Sequence, residues 1–182
     1  QRQMCIRDSN TPVATEDDIL KYAFALFLNH DFEKSLAVAQ KGLQKNARHA
    51  AFNRLVMYNN VDLKRYDEVE KAADAFFNAS DNADYSCLDY RYHGALLSAL
   101  KKYDQAIEEY GKALEKDESQ VDLWREIADA YELKNDYTQA IAAYKKYYDS
   151  LAQDKKTSEN LFQLGRLYYG EGTSSDLSLI HI

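Results

Sequence analysis

Four histidines and two cysteines are the residues of this 182-residue chain best suited to bind a metal or to serve as nucleophile and base. Their spacing supports neither role. His30 and His49 fall in polar connections, with no second His or Cys at the short intervals a zinc site uses. His93 lies on the apolar face of a predicted helix, where a buried, hydrogen-bonded imidazole is expected. Cys87 opens a helix, a place that lowers a thiol pKa, yet nothing pairs with it as a base, so a structural thiol is expected. The acidic run Glu16, Asp17 and Asp18 suits a helix N-terminus, where the dipole favours negative charge, better than a metal. Gly165, Gly170 and Gly172 sit in and just after a helix with no strand before them, so they form neither a phosphate loop nor a dinucleotide fingerprint. Close helix contact and a helix C-cap are their expected uses. No catalytic residue, metal or cofactor is expected from this sequence.

The two ends limit what the sequence covers. Residues 177–182 (LSLIHI) can be encoded by CTG TCT CTT ATA CAC ATC. The reverse complement encodes Met-Cys-Ile-Arg-Asp followed by Ser or Arg, and residues 4–9 read MCIRDS. Both resemble the transposase end sequence used in DNA library preparation, and the adjoining CAG CGT CAG supplies Gln1, Arg2 and Gln3. Residues 1–9 and 177–182 are set aside as translated adapter. Cys5 and His181 go with them, which leaves Cys87 with no internal disulfide partner. The remainder, 10–176, is expected to be a fragment of a longer protein. A signal peptide would lie upstream of it, so cytoplasmic and periplasmic locations stay equally open.

Charge and composition narrow the function classes. The chain carries 23 Lys and Arg against 30 Asp and Glu, a net charge of −7, and setting aside Arg2, Arg7 and Asp8 leaves the rest slightly more acidic. Phosphate neutralisation needs a basic face, so nucleic acid is not an expected partner. A content of 46% apolar and 13% aromatic residues supplies a packed core. No run of about 18 apolar residues offers a membrane span. Six Gly and one Pro argue against sheet folds with many tight turns and for helices joined by short polar connections.

A period emerges when four segments are aligned: HDFEKSLAVAQKGL from His30, KRYDEVEKAADAFF from Lys64, KKYDQAIEEYGKAL from Lys101 and NDYTQAIAAYKKYY from Asn135. Their aromatics, Phe32, Tyr66, Tyr103 and Tyr137, are separated by 34, 37 and 34 residues. Three positions later stand Ser35, Val69, Ala106 and Ala140. Upstream of each segment runs a second helical pattern, clearest where Leu123, Trp124, Ile127, Ala128 and Tyr131 form one apolar stripe at the 3.6-residue period.

These residues resemble the tetratricopeptide repeat, with its W-x2-L-G-x2-Y, Ala, aromatic pattern. Trp124, Ile127, Ala128, Tyr131, Tyr137, Ala140 and Tyr144 carry the signature in the fourth unit. Tyr90, His93, Gly94, Leu97, Tyr103, Ala106, Tyr110 and Ala113 carry it in the third. The resemblance implies an all-α fold, a right-handed α-solenoid of antiparallel helix hairpins, with repeats at about 16–49, 50–83, 87–120 and 121–154 and a partial one at 158–172. It also implies that the small residues Gly94, Ala128 and Gly165 admit close helix contact. The Pro usual at the end of the second helix is absent, with Asn46, Asn78, Asp81 and Asp117 as polar substitutes. Trp124 is expected to be mostly buried between hairpins. The last helix is expected to lack its hairpin partner and to show Leu164, Leu167 and Tyr168 to solvent or to its own array.

In such arrays the first helices line a concave surface, and the family holds peptides through the residue after the Trp position and the one four beyond it. The implied pairs here are Leu20 and Phe24, Arg54 and Tyr58, Arg91 and Ala95, Arg125 and Asp129, and Phe162 and Arg166. Arg125 has acids at i−3 and i+4 on its own helix, whereas Arg54 and Arg91 have none at i±3 or i±4. The resemblance therefore implies a protein-interaction scaffold that binds a peptide or partner protein, with Arg54 and Arg91 recognising carboxylates and Tyr58 and Tyr92 giving apolar support. The competing expectation is a recruitment or regulatory arm of a larger enzyme or sensor whose other domain lies outside this chain.

Overall fold

A computed structural model describes residues 14–78, 80–81 and 83–172. The adapter-like ends and Pro12 lie outside the described residues. The described chain forms nine α-helices and one 3-10 turn, in two compact units divided between Ala83 and Asp84. The first unit holds α1 (Glu16–Leu28), α2 (Phe32–Lys45), α3 (Ala50–Asp62) and α4 (Tyr66–Phe77). The second holds α5 (Cys87–Ala99), α6 (Tyr103–Lys116), α7 (Asp122–Leu133), α8 (Tyr137–Ser150), the 3-10 turn Gln153–Lys155 and α9 (Ser158–Glu171). Within each unit every helix packs on the next in sequence, so the expected all-α hairpin architecture is what forms.

Local chemistry sets the helix ends. Three first helices open with a capping box: Thr15 with Asp18, Ser86 with Asp89, and Thr157 with Asn160. In each, the hydroxyl accepts from the backbone N–H three residues on and the side chain there accepts from the cap's own N–H, so two otherwise unpaired donors are satisfied. The acids Glu16, Asp17 and Asp18 occupy the first turn of α1, as expected. Asn46, Asn78 and Asp117 cap α2, α4 and α6, and Gly172 caps α9 with φ of 77°.

The turn inside each hairpin is a less obvious feature. His30, Lys64, Lys101 and Asn135 all have φ between 56° and 61°, and each stands two residues before the aromatic that opens the second helix. In all four turns the N–H of this residue donates back to the carbonyl three earlier, and the next N–H donates to the carbonyl five earlier. For Lys101 these bonds run to Ser98 O at 3.0 Å and, from Lys102, to Leu97 O at 2.8 Å. This is the Schellman arrangement, which favours glycine because a Cβ is strained at positive φ. Replacing Lys64 or Lys101 by Gly is therefore expected to stabilise the chain by about 0.5–1 kcal/mol each, the relieved strain exceeding the extra entropy of the unfolded chain. A lower denaturation midpoint for Lys101→Gly would contradict this turn geometry.

The core of the first unit is built on α3, which is buried from Phe52 to Asn60 apart from the half-buried Arg54. It contains a polar chain: Ser35 Oγ donates to Ala23 O at 2.9 Å, and Asn59 Nδ2 donates to Ser35 Oγ at 2.9 Å and to Leu55 O at 2.7 Å. Ser35 stands where the other hairpins have Val69, Ala106 and Ala140, and its hydroxyl is satisfied by this chain. The segment after α4 is tied back to the α2–α3 connection. Asp81 N donates to Arg48 O at 2.9 Å, Arg48 Nε donates to Asp81 Oδ1 at 2.8 Å, and Asn53 Nδ2 donates to Ser80 Oγ at 3.1 Å. In the second unit Ala106, Ala113, Ala128 and Ala140 let helices approach while Tyr110, Tyr144, Leu123 and Leu167 fill the space between them.

Candidate functional site

The 3.6-residue period puts Arg125, Glu126, Asp129, Glu132 and Leu133 on one side of α7, and ion pairs show which helices flank that side. Arg91 on α5 donates from Nε to Glu126 Oε1 at 2.9 Å, and its Nη2 bonds the same oxygen. Arg166 on α9 donates from Nη2 to Glu132 Oε2 at 2.8 Å, with Nη1 on Glu132 Oε1. The first helices α5, α7 and α9 of the second unit thus lie side by side and form one face. Burial works against the Arg91 charge, and the bonded Glu126 carboxylate more than offsets it, so the guanidinium pKa stands above its ordinary value.

Arg91 has no acid at i±3 or i±4 on its own helix, as expected, but this pairing occupies the guanidinium expected to recognise a carboxylate. Its acid comes from the next hairpin, 35 residues away, beyond any search along its own helix. Tyr58 is corrected as well. It is 4% exposed, with its ring 5.7 Å from that of Phe27, so it is a core residue and offers no apolar surface to a peptide. Arg54, in the first unit, lies over the Phe76 ring at 5.2 Å. Tyr92 is half-buried on α5. Arg125 is exposed, with its guanidinium 5.8 Å from the Tyr147 ring centre.

Asp129 and Phe162 remain open on the face. Asp129 makes no ion pair within 4.0 Å among the described residues, and its carboxyl stands above the usual range because the surrounding protein reduces its solvation, although Arg125 pulls it down. Phe162 and Tyr169 on α9 are 64% and 80% exposed. An open cleft of about 840 Å3 runs beside them, and every described residue lining it, from Ser158 to Tyr169, belongs to α9. Of the two settings expected for Leu164, Leu167 and Tyr168, solvent or their own array, the array is the one that holds: Leu167 and Tyr168 are buried in the core and Leu164 packs against it, because that side of α9 rests on α8.

Three other expectations meet the structure here. His93 is hydrogen-bonded as expected, with Nδ1 2.9 Å from Glu109 Oε2, while Lys112 Nζ donates to Glu109 Oε1 at 2.7 Å. Burial raises the Glu109 carboxyl pKa, and these two partners lower it by more. The Cys87 thiol does open α5, but burial pushes its pKa up, so the helix terminus does not activate it. Trp124 is only partly buried, with Lys146 Nζ 4.1 Å from its ring centre. Trp124→Ala is accordingly expected to cost about 1–2 kcal/mol, less than the ~3–5 kcal/mol of a fully buried indole, as read by urea titration followed by far-UV circular dichroism. Glu126, Glu132, Leu133 and Tyr169 were missed in the sequence. One repeat length of 34 residues after Arg91 stands its equivalent Arg125, and Glu126 is the next residue.

Comparison with known proteins places this geometry. Residues 94–135, spanning the C-terminal part of α5, all of α6 and all of α7, match the TPR repeat family model. That segment is a tetratricopeptide repeat. The whole described chain has the tetratricopeptide fold: it superposes on the C-terminal part of a TPR repeat-containing protein from Cytophaga hutchinsonii with a TM-score of 0.72 at 21% identity. The overlap covers 85% of this chain and 58% of that one, so the chain spans less than two thirds of that structure. YrrB, described as a TPR protein with an unusual peptide-binding site, gives a TM-score of 0.72 at 15% identity over 88% of this chain and 80% of its own. MamA from Desulfovibrio magneticus gives 0.66 at 17% identity over 75% and 76%. No curated protein matches the chain. Among the described residues no tetratricopeptide helix is long and apolar enough to cross a membrane.

Proposed function

We propose that the chain is a protein-interaction scaffold that holds a peptide or a segment of a partner protein on the faces made by its first helices. One observation carries this reading. The exposed large apolar side chains among the described residues are Tyr22, Phe24 and Leu28 on α1, Leu88 on α5, Leu133 on α7, and Phe162 and Tyr169 on α9. Every one is on a first helix and none on a second. Exposed apolar residues scattered singly over a surface carry no meaning, but their segregation to one set of helices marks a contact surface. The peptide-binding site named for YrrB, which shares the fold, is consistent with this use.

Within the second unit the residues proposed to meet the partner are Tyr92, Arg125, Asp129 and Phe162, joined by Leu133 and Tyr169. Arg91 and Arg166 take a structural part, since each already holds a glutamate of α7. Panning a random peptide library on the chain tests the reading. Enriched peptides should lose most of their affinity for Phe162→Ser and for Leu133→Ser while the circular dichroism of both variants stays that of the parent. Enriched peptides that bind both variants as well as the parent would remove this face from consideration.

A further inference from the structure

We propose that the α5–α7–α9 face selects an extended peptide in which apolar side chains alternate with Lys or Arg, the apolar ones resting on Phe162 and Tyr169 and a cationic one on Asp129. This rests on the scaffold reading above and adds the sign of the partner's charge. The apolar half follows from position. Phe162 and Tyr169 are seven residues apart, two turns along the same side of α9, and both are mostly exposed beside the open cleft.

The charge follows from which groups are already paired. Three arginines stand on this face, a pattern that invites an acidic ligand, but Arg91 and Arg166 are bound to Glu126 and Glu132. Arg125 lies one turn before Asp129 and is the main threat to the proposal. Its guanidinium sits over the Tyr147 ring and does not come within 4.0 Å of Asp129. Asp129, and Glu159 at the mouth of the cleft, therefore keep no ion-pair partner among the described residues; Glu159 accepts only from Gln163 Nε2 at 2.9 Å. An acidic peptide would find Arg125 as the one arginine of the three outside an ion pair and would still face these two carboxylates. A basic peptide breaks no existing pair and supplies a cation to Asp129, which is exposed and has no ion pair of its own among the described residues.

Fluorescence anisotropy with three labelled synthetic peptides, GKLKFKLKG, GELEFELEG and GSLSFSLSG, tests this on the intact chain. At low salt the lysine peptide is expected to bind about tenfold more tightly than the glutamate peptide, with the gap narrowing as salt is raised. Asp129→Asn should weaken the lysine peptide about fivefold and leave the serine peptide unchanged. Glu115→Gln makes the same change of net charge on exposed α6 and should do neither. Equal or tighter binding of the glutamate peptide, or equal losses for Asp129→Asn and Glu115→Gln, would overturn the charge assignment and leave the scaffold reading standing. If none of the three peptides binds, the scaffold reading of this face fails and the proposal fails with it.

Discussion

Phe52→Ala is expected to destabilise the first unit by about 3–5 kcal/mol, the range for removing a fully buried aromatic ring. Phe52 is 0% exposed. Its ring lies against Gly42 of α2, where an added Cβ would collide with it, and 4.7 Å from the His49 ring. One wall of the resulting cavity would thus be helix backbone, which collapses far less readily than side chains, and this places the cost toward the upper end. The only tryptophan, Trp124, belongs to the second unit, so its fluorescence is the wrong probe. Amide exchange across α2 and α3 reads the loss directly. A loss below about 1.5 kcal/mol would mean that Phe52 is not the keystone of α2–α3 packing.

Gly94→Val is expected to cost about 2–3 kcal/mol in the second unit. A Cβ at Gly94 would stand 2.6 Å from the Tyr110 ring, and that ring is itself buried at 4% exposure, so it has little room to move. Overpacking of this kind costs about 1–3 kcal/mol, and the better helix propensity of Val returns a few tenths. Trp124 fluorescence and far-UV circular dichroism should both report the shift in urea midpoint. The double variant Gly94→Val with Tyr110→Leu, which clears the space, should be less destabilised than the single changes predict by addition. Strict additivity would show that the two residues do not press on each other.

The hairpin framework was legible because its signals are local and repeated. Phe32, Tyr66, Tyr103 and Tyr137 each open a second helix, and the small residues at Gly94, Ala106 and Ala140 sit in helix contacts. The left-handed turns were not legible, since only Asn135 among the four residues has a side chain that advertises positive φ. His30, Lys64 and Lys101 take the same conformation because the Schellman bonds and the packing of the two helices impose it. The face of the second unit was half legible. Sequence placed Arg91, Arg125, Asp129, Phe162 and Arg166 on first helices at equivalent positions. It hid the Arg91–Glu126 and Arg166–Glu132 bonds, because an i±4 inspection sees one helix and the partners lie 34–35 residues apart. Trp124 keeps the position its register gave it, packed against the core of the second unit, and Lys146 lies over its ring.

The two bonds that join the first helices of the second unit have opposite polarity, and this makes the hairpins unequal as building blocks. Between α5 and α7 the earlier helix supplies the cation, whereas between α7 and α9 the earlier helix supplies the anion. If the α7–α8 hairpin were duplicated in tandem, Arg125 of the first copy would still find Glu126 of the second. Glu132 of the first copy, however, would meet Asp129 where Arg166 now stands, and the seam would place like charges together. Each hairpin therefore carries a charge-coded address that fits it to one neighbour on each side, so expansion of this array by simple copying is disfavoured unless a compensating Asp129→Arg change accompanies the new copy.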